Sequence, residues 1–308
     1  MTKTVLLATQ KPFAPAARDT VVRILSGAGY SVKLLENYPD QNALIKAVRE
    51  ADALIVRSDK VDCEVLKAAP KLKIVVRAGA GYDNVDCLTA KEKGVVAMNT
   101  PGQNANAVAE LVLGLMILLA RNKYSGKSGG ELRGKRLGIA GFGYVGRRVA
   151  EIARGFEMEV SACDPWVPKE KMEESGVKSS GALEKIFTES DFISLHIPGC
   201  PETECSIDYS LMTRMNKGAC LINTARAEII NEDDLLRVFE ERTDFKYAAD
   251  VAPSNQATIM EKFGDRAFFT AKKLGAQTAE ANFNAGAAAA RQIIAFFEEG
   301  DTSFQVNP

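Results

Sequence analysis

Three glycines in the middle of the chain have the spacing that lets a protein backbone approach a phosphate. Gly141, Gly143 and Gly146 form the pattern G-x-G-x-x-G, which follows an apolar, strand-like run at residues 136–140 and opens a helical pattern at 144–154. The first glycine permits a tight turn, the second lets the backbone reach a pyrophosphate, and the third allows close packing of helix and strand. Because the helix N-terminus adds partial positive charge, we predict a dinucleotide site here.

An acidic residue is placed to bind the sugar of that dinucleotide. The next strand-like run, residues 159–163, leads into Asp164, about 20 residues beyond the glycines. A carboxylate there can accept hydrogen bonds from both hydroxyls of the adenine ribose, whereas a 2′-phosphate would meet a like charge. The sequence therefore favours NAD over NADP as the cofactor. A glycine-rich turn that binds no ligand is the alternative interpretation.

Because the glycine motif lies in the middle of the chain, we expect the first hundred residues to contribute the substrate side of the site. Arg57 and Ser58, with Lys60 close by, follow a strand-like run and could bind an anion, although a solvated strand end is an equally open interpretation. A second strand-like run leads into the glycine turn at residues 79–81, whose backbone N–H groups could bind a carboxylate.

The chain contains one histidine, His196, which excludes sites built from several histidines. The spacing of Cys200 and Cys205 does not match a CxxC motif, so we expect a loop without metal there and predict no metal site. Cys163 and Cys220 lie in apolar, strand-like runs, which is typical of buried thiols in a reducing compartment.

Length and composition predict a two-domain globular protein. The chain has 308 residues, and domains average about 150 residues. With 39 Lys and Arg against 40 Asp and Glu, the net charge is −1, so we expect no nucleic-acid partner. The longest apolar run, residues 111–120, is half a membrane span, and the first residues do not resemble a signal peptide. We therefore expect a cytoplasmic protein without membrane contact.

Strand-like runs alternate with amphipathic helices along the whole chain, which predicts an α/β protein with parallel sheets. The long helix predicted at residues 104–121 is a plausible bridge between domains, and a helix at 277–299 could pack on the first domain. Strands are predicted at residues 5–8, 31–35, 53–56, 74–77, 95–98, 136–140, 159–163, 192–197, 220–223, 247–251 and 268–270.

Seven segments occur in a characteristic order along nearly the whole chain. They are VVRAGAGYDNVD, NTPGQNANAVAELVLGLM, GIAGFGYVGRRVA, CDPW, SLHIP, LINTARAEIINEDDL and LGAQTAEA. Together they resemble the D-isomer-specific 2-hydroxyacid dehydrogenase family, and most closely its members that act on phosphoglycerate. The resemblance implies two Rossmann-like domains, one flavodoxin-like and one dinucleotide-binding, with a cleft between them. The substrate-binding domain would comprise residues 1–100 and 285–308, and the NAD-binding domain residues 101–284.

The resemblance also implies an activity. The expected reaction is the reversible, NAD-dependent oxidation of D-3-phosphoglycerate to 3-phosphohydroxypyruvate, the first step of serine biosynthesis, by a homodimer. The length leads us to expect a short form without a regulatory domain. Two alternatives stay open: another 2-hydroxyacid dehydrogenase, such as a glyoxylate or hydroxypyruvate reductase, and a non-catalytic scaffold or sensor that binds NAD(H).

The fingerprint and the resemblance together assign site residues. Arg226 matches the family's substrate-orienting arginine, whose planar guanidinium would hold the substrate carboxylate and carbonyl oxygen. Expected substrate contacts are Arg57, Ser58, Gly79, Ala80, Gly81 and Asn104. Expected cofactor contacts are Ala80, Gly141, Gly143, Tyr144, Val145, Gly146, Asp164, His196, Ile197, Pro198, Thr224, Ala225, Arg226, Asp250, Lys273, Gly275 and Ala276.

Two positions depart from the family pattern, because Asn255 and Lys273 stand where a catalytic Glu and His are usual. A lysine, with a reference pKa near 10.4, stays protonated without a carboxylate partner. We therefore hypothesise that Lys273 is the general acid and base. Burial and the cation Arg226 would lower its pKa enough to accept a proton during oxidation. A surface lysine beside an inactive site is the alternative, and His196 is expected at the cofactor edge.

Overall fold

The computed structural model describes residues 2–308, and the chain divides into two compact units. Unit 1 runs to Asn104 and resumes over Gln277–Pro308, and unit 2 comprises Ala105–Ala276. Each unit is built around its own parallel sheet, which confirms the predicted α/β class.

Unit 1 contains five parallel strands in the order β2-β1-β3-β4-β5. They are β1 (Thr4–Thr9), β2 (Ser31–Glu36), β3 (Ala53–Val56), β4 (Ile74–Arg77) and β5 (Val96–Asn99). The helices between them are α1 (Pro15–Gly27), α2 (Gln41–Ala47), α3 (Cys63–Lys67) and α4 (Cys87–Glu92). Side chains alternate between the two faces of a strand, so Leu6 and Leu54 pack in one core cluster while Val5 and Ile55 pack in another. The sheet is therefore buried on both faces, as parallel sheets usually are.

Unit 2 contains seven parallel strands in the order β12-β11-β10-β9-β6-β7-β8. The strands are β6 (Arg136–Ala140), β7 (Glu159–Cys163), β8 (Lys178–Ser179), β9 (Phe192–Leu195), β10 (Cys220–Asn223), β11 (Lys246–Ala249) and β12 (Ala267–Phe269). The helices are α5 (Ala105–Ala120), α6 (Tyr144–Gly155), α7 (Lys169–Glu174), α8 (Leu183–Glu189), α9 (Tyr209–Thr213), α10 (Glu232–Glu241) and α11 (Gln256–Phe263). The chain winds from β6 toward β8 on one side and from β9 toward β12 on the other. This reversal creates a crevice at the carboxyl ends of β6 and β9, where open α/β sheets bind ligands.

The last helix, α12 (Ala279–Glu299), belongs to unit 1 and packs against α1, as the sequence predicted. A Cβ on Gly286 would lie 2.9 Å from Cγ2 of Val21 in α1, so the missing side chain lets the two helices approach closely. Thr278 caps the helix by accepting a hydrogen bond from the backbone N–H of Ala281. The predicted domain boundary between residues 284 and 285 would cut this helix, whereas the units divide before it.

The structure adds one strand and shortens two. Strand β8 was missed because it has two polar residues and no apolar run. The predicted strand at residues 192–197 ends at Leu195, and the one at 247–251 ends at Ala249, because the following residues turn out of the sheet. Within residues 2–308, no helix has the length and apolarity to cross a bilayer.

Candidate active site

The glycine turn follows β6 where the strand order of unit 2 reverses. Gly141 has a φ of +93°, and a Cβ there would lie 2.8 Å from the carbonyl carbon of His196. A Cβ on Gly146 would lie 2.1 Å from the carbonyl oxygen of Gly141. At Gly143, by contrast, a Cβ would meet no atom within 4 Å. The first and last glycines are therefore required by the turn itself, whereas Gly143 faces space that a phosphate could occupy.

Helix α6 begins at this turn with an uncapped N-terminus. Gly143 is the N-cap residue, and within residues 2–308 no side-chain cap is found at this helix start. Tyr144 is exposed, and Val145 packs partly against the core. The Nε of Arg147 donates to the carbonyl oxygen of Phe142 over 3.0 Å. Unpaired N–H groups and the helix dipole favour an anion, so this end of α6 fits a pyrophosphate.

Asp164 connects the end of β7 to the glycine turn. Its Oδ2 accepts a hydrogen bond from the backbone N–H of Phe142 over 2.7 Å, and its Oδ1 accepts one from that of Trp166 over 2.9 Å. Each carboxylate oxygen can accept a further hydrogen bond. The carboxylate is therefore held in place and can still bind the two hydroxyls of a ribose.

His196 lies just beyond β9, beside the glycine turn. Its Nε2 lies 2.8 Å from Oγ of Ser194, and desolvation by burial lowers the pKa of His196 to about 3. At neutral pH the side chain is therefore a neutral imidazole and not an imidazolium cation that could donate its extra proton. Ile197 packs partly against the core, while Pro198 is exposed and its carbonyl oxygen accepts from Thr203 Oγ1 over 2.6 Å.

Arg226 follows β10 in a turn that a buried amide side chain holds. Asn223 is fully buried, its Nδ2 donates to the carbonyl oxygen of Arg226 over 2.8 Å, and its Oδ1 accepts from the backbone N–H of Ala225 over 2.9 Å. The Arg226 Nη1 donates to the carbonyl oxygen of Ala225. The Oγ1 of Thr224 is buried and has no hydrogen-bond partner within residues 2–308, which leaves it for a ligand or water.

A carboxylate lies beside Arg226. A Cβ on Gly199 would lie 2.3 Å from Oε1 of Glu228 and 3.0 Å from Cγ of Arg226. The carbonyl oxygen of Glu228 accepts from the backbone N–H of Cys205, so the loop after β9 packs on this segment. The sequence analysis missed Glu228, because only the fold brings Gly199 against it. In the sequence, the one indication of a role for Glu228 is that it is a charged residue two positions after Arg226.

Asp250 anchors the segment at residues 273–276. Its Oδ1 accepts from the backbone N–H of Leu274 over 2.7 Å and from Thr270 Oγ1 over 2.8 Å, and its Oδ2 accepts from the backbone N–H of Gly275 over 2.8 Å. Asp250 is 3% exposed, so its carboxylate oxygens are used for these hydrogen bonds and have little contact with solvent. Lys273 is exposed, and the burial expected for it is therefore not observed. The reason is that it stands in the loop between β12 and α12, where Asp250 holds the backbone N–H groups of the two residues that follow it.

Asn255 lies at the start of α11, and only one end of its amide is paired. Its Nδ2 donates to the carbonyl oxygen of Glu232 over 2.9 Å, whereas its Oδ1 is buried and has no partner among residues 2–308. The carboxylate of Glu232 accepts from the backbone N–H of the preceding Ser254 at 2.9 and 3.0 Å and thereby fixes the loop. A buried acceptor without a partner is costly, so this oxygen could receive a donor from a ligand, water or mobile side chain.

In unit 1, Arg57 follows β3, and its guanidinium is engaged within the unit. Nη1 donates to the carbonyl oxygens of Lys11 and Pro12 at 3.2 and 3.1 Å, and Nη2 donates to Oδ1 of Asn282. The group also lies 4.9 Å from the ring centroid of Phe13. Burial lowers the pKa of Arg57. An anion at this position would have to share or displace these hydrogen bonds.

The neighbours of Arg57 point in different directions. Ser58 and Lys60 are exposed, whereas Asp59 is 5% exposed and accepts from the backbone N–H of Gln10 over 2.6 Å and from the hydroxyl of Tyr38 over 2.5 Å. The negative charge of Asp59 therefore serves the core and the Ser58 hydroxyl stays at the surface, while the Lys60 Nζ lies 3.7 Å from Oδ2 of Asp62, a carboxylate with which an anion would have to compete.

The glycine turn after β4 is covered by an arginine that the sequence analysis did not assign. A Cβ on Gly79 would fall on the guanidinium of Arg77, whose Nε donates to the carbonyl oxygen of Arg57 over 3.0 Å. Asn99 donates to the carbonyl oxygen of Ala80 over 2.5 Å. The other two expected contacts, Gly81 and Asn104, are both partly exposed and lie after this turn and just before α5.

The carboxyl ends of five parallel strands bring most of the predicted residues of unit 2 to one edge of its sheet. The turn after β6, Asp164 after β7, His196 after β9, Arg226 after β10 and Asp250 after β11 all lie there. Within residues 2–308, no three His, Cys, Asp or Glu side chains are grouped as metal ligands. The edge thus combines an anion site, a hydroxyl-binding carboxylate and a guanidinium, which suits a dinucleotide and an anionic substrate.

Comparison with known proteins extends this description. The model of the D-isomer specific 2-hydroxyacid dehydrogenase NAD binding domain matches residues 94–270, which confirms NAD as the predicted cofactor. Hydroxypyruvate reductase of Thermotoga maritima is 36% identical over 275 residues, covering 83% of this chain and 88% of that protein. D-3-phosphoglycerate dehydrogenase of Mycobacterium tuberculosis is 36% identical over 269 residues, covering 83% of this chain and 51% of that protein. The chain thus spans about half the length of this second relative.

Among solved structures, one similarity extends over the full chain. The NAD+-bound 3-phosphoglycerate dehydrogenase of Entamoeba histolytica has 44% sequence identity and a TM-score of 0.91, and the match covers 100% of this chain and 99% of that one. D-lactate dehydrogenase of Escherichia coli, at 23% identity and a TM-score of 0.80, shares the fold.

Proposed function

Because the chain belongs to the D-isomer-specific 2-hydroxyacid dehydrogenase family, as its seven segments predicted, we propose that it reversibly oxidises D-3-phosphoglycerate to 3-phosphohydroxypyruvate with NAD. The observation that carries this proposal is the 44% identity, along the whole chain, to a 3-phosphoglycerate dehydrogenase. By the same proposal, unit 1 binds the substrate, unit 2 binds NAD, and the homodimer serves serine biosynthesis in the cytoplasm. All six cysteines are unpaired, which supports a reducing compartment.

The residues of unit 2 fit NAD, which supplies a hydride acceptor when bound. The uncapped start of α6 at Gly143 and Tyr144 would hold the pyrophosphate. The carboxylate of Asp164 would accept hydrogen bonds from the ribose hydroxyls, since two backbone N–H groups already fix its orientation. The unpartnered Oγ1 of Thr224 would donate to or accept from the cofactor at the end of β10.

Arg226 would orient the substrate. Its guanidinium fork can bind a carboxylate and the neighbouring carbonyl oxygen together, which fixes the plane of the reacting carbon. Asn223 supports this role, because its buried amide holds the backbone of residues 225 and 226 at both ends. The backbone from which the Arg226 side chain extends is therefore held in place.

Lys273 would move the proton that accompanies hydride transfer. During reduction its Nζ would donate a proton to the carbonyl oxygen, and during oxidation it would accept the hydroxyl proton. The neutral state of His196 supports this assignment, because the chain's one imidazole is not protonated at neutral pH. The buried Oδ1 of Asn255 could accept a hydrogen bond from the ammonium group and orient it without adding charge.

A second candidate, reduction of unphosphorylated hydroxypyruvate, is favoured by one observation. The guanidinium of Arg57, proposed with Ser58 and Lys60 to bind the substrate phosphate, already donates to Lys11, Pro12 and Asn282. A charged hydrogen bond contributes about 1.5–3 kcal/mol, so a phosphate contact should change kcat/KM by roughly 10- to 150-fold.

The experiment follows NADH absorbance with 3-phosphohydroxypyruvate, hydroxypyruvate and glyoxylate. A kcat/KM at least about 10-fold higher for the phosphorylated acid supports the proposal. Equal or higher efficiency with hydroxypyruvate would favour the second candidate. Binding of NADH without turnover of any of the three acids would instead favour a non-catalytic scaffold or sensor and would refute both catalytic functions.

A further inference from the structure

The glycine turn that follows β4, residues 79–81, is held in unit 1 through its carbonyl oxygens. The backbone N–H of Thr100 donates to the carbonyl oxygen of Gly79 over 3.0 Å, and Nδ2 of Asn99 donates to that of Ala80 over 2.5 Å. Asn99 is the last residue of β5, which pairs with β4 in the sheet. Two consecutive peptide groups of the turn are therefore fixed by the end of the neighbouring strand.

This arrangement sets the direction of two backbone N–H groups. In a trans peptide the C=O and the N–H point in opposite directions, and residues 2–308 contain no cis peptide bond. Because the carbonyl oxygens of Gly79 and Ala80 point toward the end of β5, the N–H groups of Ala80 and Gly81 point away from it. Neither of these N–H groups has an acceptor within residues 2–308. Neighbouring N–H groups that are directed outward in this way can bind an anion.

The backbone of Asn99 is itself held by a buried amide from α12. Asn99 is 9% exposed, and its carbonyl oxygen accepts from Nε2 of Gln292 over 3.0 Å. Gln292 is 8% exposed, and its Oε1 has no partner among residues 2–308. A buried amide with one unpaired end is unfavourable, so the fold retains this side chain at a cost. What the fold gains is a fixed carbonyl group at Asn99, next to the turn.

We propose that Asn99 is a positioning residue that keeps the turn at residues 79–81 in the form that binds the substrate carboxylate. This inference rests on the proposed function, in which unit 1 binds the acid. Asn99 acts through Ala80, because its Nδ2 is already engaged by the Ala80 carbonyl oxygen. The carboxylate keeps its charge while the neighbouring carbon is reduced or oxidised. Contacts to it therefore stabilise substrate and transition state alike, and their loss raises KM and leaves kcat nearly unchanged.

Steady-state kinetics of two Asn99 variants test this assignment. Asn99→Ala should raise KM for 3-phosphohydroxypyruvate, hydroxypyruvate and glyoxylate by one common factor of about 10 or more, because all three carry the carboxylate. The kcat should change by less than about threefold. The Kd of NADH should stay at the wild-type value, since unit 2 is proposed to bind NAD. At pH 8, Asn99→Asp should behave like Asn99→Ala, because a carboxylate of the same shape cannot donate to the Ala80 carbonyl oxygen.

The matched control is Asn307→Ala, which removes another buried amide that holds the backbone at β5. Asn307 is 6% exposed, its Nδ2 donates to the carbonyl oxygen of Val95 over 2.9 Å, and its Oδ1 accepts from the N–H of Ala97 over 2.8 Å. These bonds lie at the start of the strand and do not involve the turn. Asn307→Ala should therefore lower the Tm and leave KM for the three acids within about twofold of wild type.

Hydrogen exchange of the Thr100 N–H, followed by NMR, adds a measurement that needs no turnover. Its acceptor is the carbonyl oxygen of Gly79, so exchange should be faster in Asn99→Ala than in wild type or Asn307→Ala. Unchanged exchange would overturn the assignment. So would a KM within about twofold of wild type in either Asn99 variant, a rise for one acid alone, or an equal rise in Asn307→Ala. If the wild type turns over none of the acids, the proposed function fails, and the exchange rates still decide whether Asn99 holds the turn.

Discussion

Because the chain contains a single histidine, any pH dependence of stability that arises from imidazole titration can be assigned to His196. The pKa of His196 is about 3 in the folded protein, because burial desolvates the imidazole, and about 6.5 in an unfolded chain. Between these values the unfolded state binds one more proton, so the free energy of unfolding falls as pH falls. The loss is about 1.4 kcal/mol per pH unit below about 6.5, and about 2 kcal/mol between pH 8 and pH 5.

The perturbation is His196→Gln, whose side-chain amide can still pair with Oγ of Ser194 but does not titrate. Urea unfolding of both ligand-free proteins, followed by far-UV circular dichroism at several pH values, gives the two pH dependences. Carboxylates titrate in both proteins and cancel in the difference. The wild type should lose about 2 kcal/mol more than the variant between pH 8 and pH 5. Parallel curves would refute the assignment of a desolvated, neutral imidazole.

Three further substitutions test separate parts of the site. Lys273→Ala should lower kcat by about 100-fold or more, and near-normal turnover would remove Lys273 from proton transfer. Arg57→Gln should raise KM for the phosphorylated acid by roughly 10-fold and leave KM for hydroxypyruvate within about twofold; an equal rise for both acids would contradict a phosphate contact. Gly275→Ala should lower the free energy of unfolding by about 1–3 kcal/mol, because its Cβ would lie 2.9 Å from Asp250 Oδ2. Gly114→Ala, whose Cβ meets nothing within 4 Å, is the control, and a similar loss there would contradict this reason.

The sequence predicted the parts of the molecule that depend on local pattern. Apolar runs marked the strands, and the glycine spacing located the turn between β6 and α6, because each glycine has a geometric requirement within a few residues. The position of Asp164 directly after the next strand could be predicted in the same way. Short polar strands such as β8 carry no such pattern and could be found only through their neighbours in the sheet.

The direction in which a side chain points could not be predicted from the sequence. Arg57, Ser58 and Lys60 look alike as anion ligands, yet Arg57 pairs with Asn282, more than 200 positions later. Asp59 between them turns inward and accepts a hydrogen bond from Tyr38. Likewise, only the fold brings Gly199 against Glu228 and Arg226. Such contacts join distant parts of the chain, so neither spacing nor composition could indicate them.

In the loop at residues 273–276, the backbone groups held by Asp250 are distinct from the side chain that we propose for proton transfer. Asp250 holds the backbone N–H groups of Leu274 and Gly275, and neither bond involves the side chain at position 273. These two hydrogen bonds can therefore form whichever side chain that position carries. Under the proposed role of Lys273 in proton transfer, replacing its ammonium group with an imidazole would change the pH range of the reaction while leaving these backbone hydrogen bonds in place.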